Sequence, residues 1–193
     1  MTTAPVDGPA GRFHSFLHEM RHVGPGRVVA AAAIALVYAV ALLNEERLRG
    51  IETCLTAALV RAAGQSDAQC FDQTVTFWLD GRFVGYTITV GCTAVMLLFP
   101  FFAVAGLLAL VRRAPLRHTL LALVCAAALV FSVNQIRMVL IWAGMKSLGF
   151  ERGFEVTHIL IGTAVSTVGL VISALLALKI LLAGQPRREQ VDR

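Results

Sequence analysis

The sequence is short of charge. Only 15% of its 193 residues are Asp, Glu, Lys or Arg, against 57% hydrophobic. A soluble domain of this length has no use for that much apolar surface, so globular classes are excluded and the chain reads as an integral membrane protein. Cysteine is scarce too: Cys54, Cys70, Cys92 and Cys125 are the whole complement, and no C-x-x-C pair occurs. That absence counts against a quinone-linked four-span thiol oxidoreductase, a class that works through vicinal pairs. Acidic side chains are outnumbered, 12 to 17, for a formal net charge of +5. In so apolar a chain the excess reports orientation across a bilayer, not nucleic-acid binding. Repeats and low-complexity tracts are absent.

What is present is long apolar runs, at 28–43, 86–111, 119–143 and 156–182. Basic residues gather between and beyond them, as Arg12/Arg21/Arg27, Arg112/Arg113/Arg117 and Lys179/Arg187/Arg188. The positive-inside rule puts all of these in the cytoplasm, which is consistent for four spans with both termini inside a plasma membrane. The expected organisation is a cytoplasmic basic arm (1–27), a first span (28–43), an extracytoplasmic segment (44–85), a three-helix catalytic membrane core (86–184) and a cytoplasmic tail (185–193). Ala39-Val40-Ala41 has the small-x-small look of a signal cleavage site. The long basic region before it and the apolar Leu42 and Leu43 after it argue for an uncleaved span.

Within the outer segment, Leu48, Ile51/Glu52, Leu55 and Leu59 recur at helical spacing, so 45–63 reads as an amphipathic helix on the membrane surface. Residues 64–69 read as a loop. "TVTFWLDGRFVGYTITV" then holds two β-rich runs around Asp80-Gly81, a strong hairpin signal. The fold class is therefore all-α and membrane-embedded, with four transmembrane helices. An outer helix and a short β-hairpin lie between the first and second spans. Cys54 and Cys70 both fall outside, where disulfides persist. Their pairing would close a loop of about sixteen residues, for roughly 3 kcal/mol on the chain-entropy model. Cys125 sits at an apolar mid-span position and reads as packing.

Ionisable groups inside a membrane are costly and mark function or a polar cavity. The third run carries "SVNQIR", which puts Asn134 and Arg137 on one helix face. The fourth begins "EVTHILIGTAVSTVG", with His158 just inside it. Counting from the cytoplasmic anchors, Cys92 is about 20 residues above Arg112, Arg137 about 20 above Arg117, and His158 about 21 above Lys179. At about 1.5 Å per residue each lies roughly 30 Å from the inner boundary, the thickness of the hydrocarbon core. Cys92, Arg137 and His158 thus share one level, at the outer face. His158, Gly162, Ser166, Gly169 and Ser173 form a small-residue stripe of the kind that packs helix on helix, so His158 should point into the bundle. A thiol beside Arg or His ionises readily and is then a nucleophile. Histidine can serve as acid and base, and arginine can hold an oxyanion. The chemistry is acyl transfer.

At these residues the sequence resembles the exosortase/archaeosortase family of membrane-embedded cysteine transpeptidases and proteases. The matching stretches are "VGCTAV" with Cys92, "NQIRMVLIWAG" with Arg137 and Asn134, and "EVTHILIGTAVS" with His158. They cover roughly residues 83–173. The resemblance implies Cys92, Arg137 and His158 as catalytic residues, with Asn134 in support and no metal or cofactor. It implies as partners the C-terminal sorting tails of exported proteins, cleaved through a Cys thioester. Release or transfer to a lipid or glycan acceptor would follow. Many relatives have about eight spans, so four correspond to little more than a catalytic core.

Three other readings compete. "HEMRH" at His18–His22, with His14 one turn earlier, matches the zinc-protease pattern H-E-x-x-H. It lies in a short polar arm with no room for a catalytic cleft, and a solvated amphipathic arm explains it. The thiol oxidoreductase lacks its vicinal pair. In a non-enzymatic membrane scaffold or accessory protein, Cys92, Arg137 and His158 would merely pack.

Overall fold

The computed structural model describes residues 24–111 and 115–184. The zinc-like motif, with His14, His18 and His22, lies outside the described residues, as do Arg12, Arg21, Arg112, Arg113 and the basic tail. The elements run α1 (Pro25–Leu43), α2 (Glu45–Ala62), β1 (Gln69–Phe71), β2 (Thr74–Leu79), β3 (Arg82–Thr87), α3 (Ala94–Leu110), α4 (Leu116–Leu148), α5 (Phe150–Glu155) and α6 (Gly162–Ala183). A 3-10 turn, Val90–Cys92, precedes α3, and a π-helical segment, Val156–Ile161, joins α5 to α6.

Three helical stretches are long and apolar enough to cross a membrane: Pro25–Leu43, Leu116–Leu148 and Phe150–Ala183. The expected second span is shorter. Strand β3 and the 3-10 turn take up its first residues, leaving the 17 residues of α3. Local chemistry marks the boundaries. Pro25 opens α1, where a missing N–H costs nothing. Asn44 closes it by donating its side-chain amide to the Val40 carbonyl at 2.8 Å. Glu45 and Glu46 then start α2 with negative charge at its N-terminus. At the far end of α3, Arg27 donates to the Ala109 carbonyl at 3.3 Å and also to Val111, placing a cation on a helix C-terminus.

The bundle is built from small residues. A Cβ on Gly169 would lie 2.4 Å from Val133, so α6 rests directly on α4. Ile34, Ala105 and Ala109 pack α1 onto α3, and Tyr38 of α1 lies between Phe99 and Phe102 at ring distances of 5.9 and 5.1 Å. Elsewhere α1 and α6 expose Leu36, Val37, Val171, Leu175 and Leu182, the apolar exterior that lipid requires.

Helix α4 runs 33 residues, about 50 Å, and so outlasts a bilayer. The excess explains why it passes its expected end at residue 143. Met138, Ile141, Trp142 and Met145 form a second core with Val75, Phe77 and Tyr86 of the sheet and Ala57 and Val60 of α2. The sheet is antiparallel, in the order β1-β2-β3. Its β2–β3 hairpin turns on Asp80 and Gly81, both at positive φ (52° and 75°), as a type I′ turn needs. Strand β1 corrects the reading of 64–69 as loop only. Gln69 pairs with Thr76, and Cys70 with Val75. Cys70 is thereby brought to Cys54 of α2, to which it is disulfide-bonded at a Cα–Cα distance of 4.9 Å.

Helix α2 carries two faces. Ile51, Leu55 and Leu59 are exposed, while Glu52, Thr53 and Thr56 are buried against the protein. Polar residues inside and apolar residues outside is the arrangement expected where the exterior is lipid.

Candidate active site

Cys92 is not inside a helix. It closes the 3-10 turn, and α3 begins two residues later behind its cap Thr93, whose hydroxyl accepts from the Val95 amide. The backbone there passes from strand to helix, which leaves the sulfur at a helix mouth. Cys92 is 6% exposed. Two donors reach it: the Thr89 hydroxyl at 3.3 Å and Arg137 Nη2 at 3.5 Å.

Arg137 is itself buried, 8% exposed. Space for its guanidinium comes from Gly162, where a Cβ would stand 2.9 Å from Nε. That Nε is buried without a hydrogen-bond partner. Position along α4 is pinned from the sheet, because buried Tyr86 donates its hydroxyl to the Met138 carbonyl at 2.9 Å. Burial pushes the Tyr86 phenol up from its ordinary value, so it stays a donor.

Asn134, one turn below Arg137, donates from the same Nδ2 to the Cys92 carbonyl at 3.0 Å and to Glu52 Oε2 at 3.2 Å. Glu52 went unnoticed in the sequence as a site residue. It is 2% exposed, and its Oε1 accepts from the Thr93 hydroxyl at 3.0 Å and from the Ala94 amide at 3.1 Å. The signal was available: an acidic residue beside an apolar stripe, pointing to the other face of α2. Thr89 was missed as well, and its spacing from Cys92 fits a side chain folded over its own turn.

His158 lies in the π-helical segment, which corrects the uniform helical stripe read from the sequence. The segment shifts the phase between His158 and Gly162, and Thr157 takes the buried place against Gly144. The imidazole is half-buried and stacks on Phe154 at 5.0 Å with an interplanar angle of 7°. Its Nδ1 is buried with no hydrogen-bond partner. Among the described residues no hydrogen bond joins His158 to Cys92 or Arg137, though the Arg137 charge acts on the ring electrostatically. Single π turns of this kind recur at functional sites. The structure thus joins Cys92, Arg137 and Asn134 by direct contact, and leaves His158 beside them with a free ring nitrogen. Cys125 is half-buried on α4, apart from this cluster. No group of His, Cys, Asp and Glu able to hold a metal occurs among the described residues.

Comparison with known proteins gives one family: the model of the transmembrane exosortases matches residues 20–175. No curated protein and no solved structure matches the chain.

Proposed function

The chain belongs to the transmembrane exosortase family, and from that premise we propose that it is a cysteine transpeptidase or protease cleaving C-terminal sorting tails of exported proteins at the outer membrane face. The observation carrying this reading is the buried contact of Arg137 Nη2 with Cys92 Sγ at 3.5 Å. A guanidinium donor on a sulfur stabilises the thiolate form, which is the nucleophile that acyl transfer needs.

In the proposed reaction the Cys92 thiolate attacks the scissile carbonyl, and the carbonyl π electrons move onto oxygen. Arg137 holds that oxyanion with the donors not engaged on sulfur, its unpartnered Nε among them. As the C–N bond breaks, His158 gives its proton to the leaving amine, and a thioester remains on Cys92. His158, now neutral, takes a proton from water or from an acceptor nucleophile, which attacks the thioester and frees the thiolate. The acceptor is a lipid or glycan in the transferase version and water in the protease version.

Helix α3 serves as a fourth span in this reading. Its 17 residues reach about 25 Å, and it packs between two full-length spans with a charged side chain at each end. Both termini are then cytoplasmic, and the sheet with α2 lies outside. The deciding experiment is mass spectrometry of the protein trapped with a peptide bearing a sorting tail. A thioester adduct on Cys92, absent from Cys92→Ala, is expected. A tail-processing Cys92→Ala variant with normal insertion would overturn the proposal. Cys92→Ser should be nearly inactive, since a hydroxyl is far less ionised at neutral pH.

A further inference from the structure

Among the described residues Glu52 is the one carboxylate in the buried class. Burying it needs a reason, because removing a carboxylate from water is expensive unless donors compensate. Donors surround it. The Thr93 hydroxyl and Ala94 amide approach Oε1 at 3.0 and 3.1 Å, and the Asn134 amide and Ala94 amide approach Oε2 at 3.2 and 3.3 Å. Helix capping explains part of the arrangement, since the Thr93 hydroxyl accepts only from Val95, at 3.4 Å, and Glu52 takes the Ala94 amide, but capping does not call for the Asn134 contact. What Glu52 adds is a cross-link. It ties α2 to the first residue of α3 and to Asn134 on α4, and Asn134 also holds the Cys92 carbonyl at 3.0 Å. The turn carrying the sulfur is therefore fastened at its backbone to the same helix that presents Arg137.

We propose that Glu52 is the positioning residue for Cys92, acting through Asn134 and the N-terminus of α3 to hold the sulfur on the Arg137 guanidinium, without touching substrate. The inference rests on Cys92 being the nucleophile. Of the charged or titratable side chains around this turn, Arg137 from α4 donates to the sulfur, Glu52 from α2 accepts from the Ala94 amide, and His158 from the π-helical segment lies within the field of Arg137 with no hydrogen bond to Cys92. Glu45, which acts on Glu52 along α2, is ion-paired with Arg49 at 3.1 Å.

The test uses the full-length chain in detergent with Cys125→Ala, so that with the disulfide intact Cys92 is the thiol open to iodoacetamide. The alkylation rate is followed across pH in this background and in Glu52→Ala, Glu52→Gln, Asn134→Ala and Arg137→Ala. Deleting a negative charge alone would ease thiolate formation and move the midpoint of the profile to lower pH. Losing the cross-link detaches the sulfur from Arg137 and moves it to higher pH. We expect the upward direction in Glu52→Ala, with alkylation at neutral pH slowed about tenfold for each unit of movement. Glu52→Gln should stay nearer the parent, because its carbonyl can still accept from Asn134 and Ala94 while its amide donates to Thr93. Asn134→Ala cuts the same link with the carboxylate left in place, so it should also move upward, even if Glu52→Ala fails to insert. A downward or unmoved midpoint in folded Glu52→Ala, or an unmoved one in Asn134→Ala, overturns the proposal. Arg137→Ala separates the two readings. An unmoved midpoint there removes the Cys92–Arg137 pairing and the Glu52 role with it. A raised midpoint there, beside an unmoved one in Glu52→Ala, removes only the Glu52 role.

Discussion

Arg137 meets sulfur with one guanidinium nitrogen and keeps Nε buried and unpartnered. A planar fork with donors to spare suits an oxyanion that forms beside the sulfur, and a lysine ammonium cannot reproduce it. Arg137→Lys should therefore lose about 10²–10³ in processing rate, close to Arg137→Ala. Near-normal processing by the Lys variant at matched expression would mean that Arg137 only anchors its helix, where charge and a long stem suffice. His158→Gln should chiefly slow acyl transfer and flatten the pH–rate profile, because Gln cannot exchange a proton. At Glu52, burial raises the carboxyl above the usual glutamate range, while bonds from Ala94, Thr93 and Asn134 pull it down. A carboxyl raised in the folded state favours the protonated form there. Its contribution to stability is full below the unfolded value of about 4.3 and is lost as pH rises through the folded value. Thermal unfolding in detergent should thus show a decline with rising pH across that window, and Glu52→Gln should remove it. An identical slope in both proteins would contradict the assignment.

Two close approaches hold the elements that frame the site. Helix α5 folds back on the end of α4 at Gly149, where φ is +86°. There a Cβ on Gly153 would come within 2.2 Å of the Gly144 carbonyl oxygen. Backbone cannot yield as a side chain can, so Gly153→Ala should destabilise the fold by about 1–3 kcal/mol, read as a lower midpoint in thermal unfolding. Unchanged unfolding would show that the two helices part without cost. On the other side, the Cys54–Cys70 bond closes a loop with a sequence separation of 16 and fixes α2 to the sheet two residues from Glu52. Its reduction, or Cys54→Ser, should remove about 3 kcal/mol of stability. Alkylation of unreduced protein that labels both cysteines would contradict the bond.

For the whole molecule, one end is a lipid-facing bundle and the other a small sheet-and-helix cap, with α4 running through both. Cys92, Arg137 and Asn134 lie where α4 leaves one and enters the other. The proposed orientation puts the cap outside. Arg82→Cys, at the exposed start of β3, should then be labelled by an impermeant maleimide on intact cells. Arg188→Cys, beyond the described residues, should react only after permeabilisation. The reverse pattern would place the site on the cytoplasmic face and contradict export-linked processing.

The membrane class, the hairpin and the amphipathic helix that follows α1 are all legible in the sequence, because hydropathy and turn chemistry act over a few neighbouring residues. Asp80-Gly81 forms its turn from its own backbone preferences, and the apolar Ile51/Leu55/Leu59 face needs only helical periodicity. The common level of Cys92 and Arg137 was legible too, since helical rise converts residue counts into depth. Strand β1 was not, as three residues become a strand only when β2 offers its edge. The π turn at His158 was equally invisible, because it depends on how Thr157 and Gly162 seat against Gly144 and Arg137. The role of Glu52 is the clearest case. Its partners Thr93, Ala94 and Asn134 are separated from it by 41 to 82 residues, and only tertiary packing brings those donors together around one buried carboxylate.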